Sequence, residues 1–168
     1  MVEAMVAKPL EYMRYRDRVA AAVRFRLEAV GADKEAVRRG SSLFALPQNA
    51  VQGATLIWGT ADAIWNGLGD TSTDYNWYTK RATLSGVYGS TVLFWLGDES
   101  EGYAATWEFL DRRIDNVMEL EKVKAQVNAH PLAAKMMAGP NWLLSKLKAP
   151  TGKPDLDLPG HIAGEEQA

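Results

Sequence analysis

The stretch YAATWEFLDRRIDNV, residues 103–117, decides the fold class. Its apolar members Tyr103, Trp107, Leu110, Ile114 and Val117 recur every three or four residues, with Glu108, Asp111, Arg112, Arg113 and Asp115 between them. That is the period of an α-helix with one buried face, whereas a half-buried strand alternates every second residue. Ser100 stands ahead of the run as a capping residue. Asp111 and Asp115 lie one helical turn apart beside Arg112 and Arg113, which reads as a salt-bridged, solvated face and not as a catalytic carboxylate pair.

Toward the N-terminus the same period continues. Ala54, Trp58, Ala61, Trp65 and Leu68 form a stripe, with Val51, Ile57 and Ile64 beside it. They predict a helix over residues 48–66 that is apolar round much of its circumference, and therefore central and mostly buried. Gly67-Leu68-Gly69-Asp70 breaks it. Thr71 and Thr73 are candidate caps for the next helix, with Asp74 near its positive end. That helix should reach Leu96 and stop at Gly97. It carries Trp77, Leu84, Tyr88, Thr91 and Trp95 on one face, and Gly86 and Gly89 where a neighbouring helix can approach closely. Upstream, Pro9 opens a first helix that runs to Val30 and stops at Gly31. Asp33 caps a second, Lys34 to Phe44, which ends ahead of Pro47. No strand-like alternation or internal repeat is present, so the fold class is all-α, a helical bundle.

Composition excludes several chemistries. The 168 residues include no cysteine, which removes disulfides, thiolate metal sites and cysteine nucleophiles. Of the two histidines, His130 precedes a proline and reads as a capping or surface residue, and His161 lies far from it. Phosphate-binding loops, nucleophile elbows, His-Glu-x-x-His pairs and the Glu-x-x-His motifs of a di-iron bundle are all absent from the sequence. The chain is read as non-catalytic, without metal or cofactor. No run approaches the ~20 apolar residues that span a bilayer, and the N-terminus lacks a signal-peptide pattern.

Charge is segregated. Residues 8–39 hold nine basic and five acidic side chains, residues 40–120 four and ten, and residues 121–153 six and one. A uniform basic face for nucleic acid is therefore missing, but the segment after the last helix is locally basic. There Trp142, Leu143, Leu144 and Leu147 alternate with Lys146 and Lys148, an amphipathic composition suited to a membrane interface. The organisation expected is a lead-in (1–7), a helical domain (8–130), an amphipathic membrane-associating segment (131–150) and a disordered tail (151–168).

The run Gly69-Asp70-Thr71-Ser72-Thr73-Asp74-Tyr75-Asn76-Trp77-Tyr78-Thr79-Lys80-Arg81 resembles the signature of the ubiquinone-biosynthesis accessory family that supports the di-iron demethoxyubiquinone hydroxylase. Leu46-Pro47-Gln48-Asn49 is similar to that family's Leu-Pro-His-Asn turn, at the family's spacing. Thr106-Trp107-Glu108-Phe109-Leu110-Asp111-Arg112-Arg113 and Ala21 to Glu28 resemble two further family segments. The chain departs at Asn66-Gly67, where family members often carry histidine or tyrosine after the tryptophan.

The resemblance implies a fold similar to TetR-type repressors, here without most of the helix-turn-helix region, and a homodimer. It implies a pocket for a phospholipid or an isoprenoid quinone precursor, for which Trp58, Trp77, Leu84, Tyr88 and Trp107 are the candidate lining between the third, fourth and fifth helices. It implies a hydroxylase-binding patch, which on this sequence is Ala45, Leu46, Pro47, Asp62 and Trp65, the last as an exposed anchor. The location implied is cytoplasmic and peripheral at the inner face of a bacterial membrane, or the matrix side of the mitochondrial membrane in eukaryotic relatives. The alternative, from another class, is the effector-binding domain of a TetR-like transcriptional regulator.

Overall fold

The computed structural model describes residues 13–129 and 146–150. The expectations for Pro9, His130, Trp142, Leu143 and Leu144, and for the two terminal segments, lie outside these residues. Among the described residues there are five α-helices and no strand: α1 (Tyr15–Ala29), α2 (Lys34–Phe44), α3 (Ala50–Gly67), α4 (Tyr75–Gly97) and α5 (Ala104–Ala129). Single 3-10 turns, Gly31–Asp33 and Glu101–Tyr103, precede α2 and α5.

Helix α1 begins at Tyr15, later than expected, because Arg14 is extended (φ −58°, ψ 150°). Its buried face is Val19, Ala22, Val23 and Leu27, positions i, i+3, i+4 and i+8, which fall on one stripe of a helix. This stripe enters a single core with Ala61, Ile64 and Trp65 of α3, Leu84, Val87, Tyr88, Trp95 and Leu96 of α4, and Leu110 and Ile114 of α5. The valine, leucine and isoleucine side chains among these contribute roughly 1.5–3 kcal/mol each when fully buried, so this layer holds the domain together.

Helix α2 has no buried residue. Polar contacts dock it on the C-terminal end of α4, where helix carbonyls lack intrahelical partners. Lys34 donates to the Asp98 carbonyl at 3.1 Å, and Arg38 to the Leu96 carbonyl. The Lys34 ammonium also lies 4.6 Å from the Tyr103 ring and 5.1 Å from the Trp95 ring.

Three expectations about α3 and α4 are corrected. Helix α3 is buried only in its C-terminal half and at Gly53; Ala54 is exposed and Val51 is 78% exposed. The reason is that α2 covers just one point of the first turns, where an added Cβ on Gly53 would lie 2.7 Å from Cβ of Phe44. Second, Asp74, not Thr71 or Thr73, caps α4, its carboxylate accepting from the Asn76 amide at 3.0 Å. Third, a Cβ added on Gly86 would meet nothing within 4 Å among the described residues, whereas one on Gly89 would lie 3.5 Å from Cδ1 of Ile57 in α3.

The start of α5 is organised by Asp98. Its carboxylate accepts from the Thr106 amide (2.9 Å), the Thr106 hydroxyl (2.6 Å) and the Ser100 amide (2.8 Å). The hydrogen bonds from Thr106, then those from Ser100, hold its pKa well below the usual carboxylate range. Ser100 adds a bond from the Ala105 amide at 3.1 Å.

Candidate functional site: an apolar groove between α1, α4 and α5

Packing α1 across α4 and α5 leaves a cavity of about 210 Å³ at one end of the core. Its apolar wall comes from Val19 of α1, Trp65 of α3, Leu84 and Val87 of α4, and Ile114, Val117 and Met118 of α5. Tyr15, Arg16, Asn76, Thr79, Lys80 and Thr83 form the rest of the lining. Tyr15, Thr79, Thr83 and Met118 are exposed, so this space is a groove open to solvent. An engineered apolar cavity of about 150 Å³ takes up benzene, so the volume suffices for a ring or the end of an apolar chain.

The five residues expected to line one cavity do not converge on it. Leu84 lines the groove. Trp58 instead packs on Trp77, ring centroids 6.0 Å apart, and Trp77 supports the Arg81 guanidinium at 4.0 Å. Tyr88 is a core residue, 8% exposed, and burial raises its pKa against the pull of Arg26. Trp107 donates its indole N–H to the Gly102 carbonyl at 2.8 Å beneath Arg24. The physical reason is α1: its buried stripe occupies the space that the third, fourth and fifth helices would otherwise have enclosed.

The signature run builds a buried ionic cluster beside the groove. Arg81, 1% exposed, pairs with Asp62 of α3 and with Asp70 at 3.0 Å. It also donates to the Trp77 carbonyl and to Asn66 Oδ1, each at 3.2 Å. Lys80 reaches the other Asp70 oxygen at 2.8 Å and the Ser72 hydroxyl at 2.7 Å. Burial alone would raise the Asp70 pKa, but bonds from Lys80, Ser72 and Arg81 outweigh it and hold the group at about 2. Gly69, at φ +77°, makes the turn that brings Asp70 back to α4. Asn66, a departure from the family pattern, is thus a member of this cluster.

The expected partner patch separates into two places. Ala45, Leu46 and Pro47 are exposed at the α2–α3 corner, near Leu43 and Val51 in the chain. Asp62 and Trp65 are buried, 5% and 6% exposed. Asp62 is bound by Arg81. Trp65 stacks on Tyr15 at 5.7 Å and donates its indole N–H to the Lys80 carbonyl at 3.0 Å. Trp65 is therefore a core and groove residue and not an exposed anchor; the stripe with Ala61 runs straight into the interior.

Of the candidate membrane residues, Lys146, Leu147 and Lys148 are described and exposed. The Lys148 carbonyl accepts from the Tyr78 hydroxyl at 3.2 Å, and the Ala149 amide donates to the Thr73 carbonyl at 2.9 Å. This tether returns the chain to the first turns of α4, which also supply Asn76 and Thr79 to the groove. Nothing in the local pattern of residues 146–150 announced it.

Fold and groove together define an all-α domain with an apolar, solvent-open recess and a tethered C-terminal segment. Residues 50–121, from α3 into α5, match the model of the COQ9 family. It is 41% identical over 91 residues to the mitochondrial ubiquinone biosynthesis protein COQ9 of Rattus norvegicus, covering 54% of this chain and 29% of that protein. For the Homo sapiens protein of the same name the identity is 36% over 91 residues, with the same coverage. For that of Drosophila melanogaster it is 37% over 121 residues, or 72% of this chain and 35% of the relative. The chain thus spans about a third of the length of these curated relatives.

Proposed function

We propose that this chain is a non-catalytic accessory protein of ubiquinone biosynthesis. It binds a phospholipid or an isoprenoid quinone precursor in the α1–α4–α5 groove and presents it, at a membrane surface, to the hydroxylase that carries out the chemistry. The observation that carries this reading is the placement of the groove. The recess is walled by apolar side chains and shares its stretch of α4 with the tether of residues 146–150. A ligand leaving the recess would emerge where the lysine-bearing segment rejoins the domain. Lys146 and Lys148 each contribute on the order of 1 kcal/mol near an anionic surface. No helix among the described residues is long and apolar enough to cross a membrane, so contact would be peripheral. The membrane surface concerned would be the inner face in a bacterium, or the matrix side of the mitochondrial membrane if the chain shares the location of its mitochondrial relatives. The hydroxylase would meet Ala45, Leu46 and Pro47, the exposed part of the patch, on one copy of a homodimer.

Native mass spectrometry of the purified chain tests the central claim. A co-purifying lipid or isoprenoid is expected, and it should be lost in Thr83→Trp, which places a large ring in the groove from an exposed position. A lipid retained undiminished by that variant places the binding site elsewhere and removes the groove from the proposal.

A further inference from the structure

Resting on the groove reading above, we infer that the first turn of α1 is a strap across the groove, held shut by a clamp from Arg16 to Asp111 and Asp115 of α5, and that Arg16 sets how fast an apolar ligand enters and leaves. Helix α1 is fastened in two different ways. From Val19 onward it is bound by its buried stripe. Its first turn, which supplies Tyr15 and Arg16 to the groove, has no such anchor: Tyr15 is 44% exposed, and Arg14 provides no side-chain cap. The contacts that carry this turn across to the groove wall and to α5 come from Tyr15 and Arg16. Tyr15 stacks on Trp65 at the groove wall. Arg16 pairs with Asp115, with Asp111 at 3.4 Å, and with its neighbour Asp17 at 3.2 Å, and donates to the Asp111 carbonyl at 3.4 Å.

Charge chemistry makes this a latch. Arg16 is about 29% exposed and its α5 partners 53%, so salt reaches the pair and its strength is modest. The hydrogen bond from Arg16 is the main cause that lowers the Asp115 pKa. Fraying one uncapped helical turn at that cost uncovers Val19, Trp65 and Leu84 without disturbing Ala22, Val23 or Leu27. The lipid-facing wall therefore opens by local unwinding while the rest of the core stays packed.

The test is residue-resolved amide exchange, joined to stopped-flow entry of the neutral dye N-phenyl-1-naphthylamine, on the full chain. The Arg18 amide, which donates to the Arg14 carbonyl, reports the strap. In Arg16→Ala, exchange at Arg18 and Val19 should quicken about three- to tenfold, with Ala22 and Leu27 unchanged, and dye entry and exit should quicken alike. Raising salt to about 1 M should speed the wild type and leave Arg16→Ala unmoved. The double variant Arg16→Asp with Asp115→Arg should restore slow exchange, which a merely steric role of the arginine would not. Unchanged exchange at Arg18 in Arg16→Ala overturns the strap, and so does equal acceleration along all of α1. If exchange responds as expected but the dye binds neither protein, the strap stands and the lipid-groove reading falls.

Discussion

Arg81 and Arg16 each face two aspartates across a helix packing, yet one welds the fold and the other only latches it. Arg81 is 1% exposed and its partners Asp62 and Asp70 have side chains 7% and 3% exposed. Its donors are divided among two carboxylates, an amide oxygen and a carbonyl, with the Trp77 ring beneath. Arg16 makes nearly as many contacts, in water. The difference teaches that burial, not the number of contacts, sets what an ion pair does. Removing one partner of a dry pair strands charges where nothing can solvate them, while removing one of a wet pair lets water take over.

The largest effect should come from Arg81→Met. It leaves Asp62 buried without its cation and Asp70 with Lys80 alone, and should lower the unfolding free energy by about 3–5 kcal/mol in urea denaturation. A loss under about 1 kcal/mol would erase the contrast with Arg16. Trp65→Lys should cost a similar or slightly smaller amount, about 3 kcal/mol or more, because it removes a core ring and buries an ammonium. A folded Trp65→Lys with wild-type melting would mean that the tryptophan is a surface anchor after all.

Acid unfolding sharpens the comparison further. The folded pKa of Asp70, about 2, lies below its ordinary 3.8. Its contribution is therefore present above pH ~4 and is lost as pH falls through the folded value. Asp70→Asn should flatten the fall of stability between pH 4 and 2, although Asp98, also depressed, keeps part of the slope. An identical acid limb in Asp70→Asn would show that the cluster does not bind protons differently on folding. The smallest effect belongs to Arg16→Ala, whose global stability should change by less than about 1 kcal/mol in the same urea experiment. A loss near that of Arg81→Met would make Arg16 a second weld.

Much of this architecture was legible because helical period is local. The bounds of α2, the buried stripe of α5 and the glycine break after α3 all follow from residues within a few turns of one another. The pairings that shape the groove are not local. Arg16 meets Asp115 across 99 positions, and Arg112 and Arg113, the basic neighbours of Asp111 and Asp115, are not their partners. The aromatic residues are a poor guide to the recess because periodicity places Trp58, Trp77 and Trp107 on helix faces but does not say which neighbour each face meets: Trp58 and Trp77 meet each other, and Trp107 lies under Arg24 of α1. Trp65 carried two conflicting signals, a stripe pointing inward and a family patch pointing outward. The packing follows the stripe. Asp98 drew no attention, since a carboxylate just after a glycine stop looks like any loop residue until Thr106 folds back on it.

At the α2–α3 corner, form depends on an atom that is missing. Because Gly53 lacks a Cβ, the Phe44 side chain can rest against the α3 backbone beside the exposed Leu43, Leu46 and Val51. The corner behaves like a casting whose mould is one glycine. A methyl group added there, on a buried residue, would prise α2 away and redraw the outline of the corner, with every exposed side chain still chemically intact. If the proposed partner docks at this corner, its binding would be lost through shape alone, and a survey restricted to surface residues would miss Gly53.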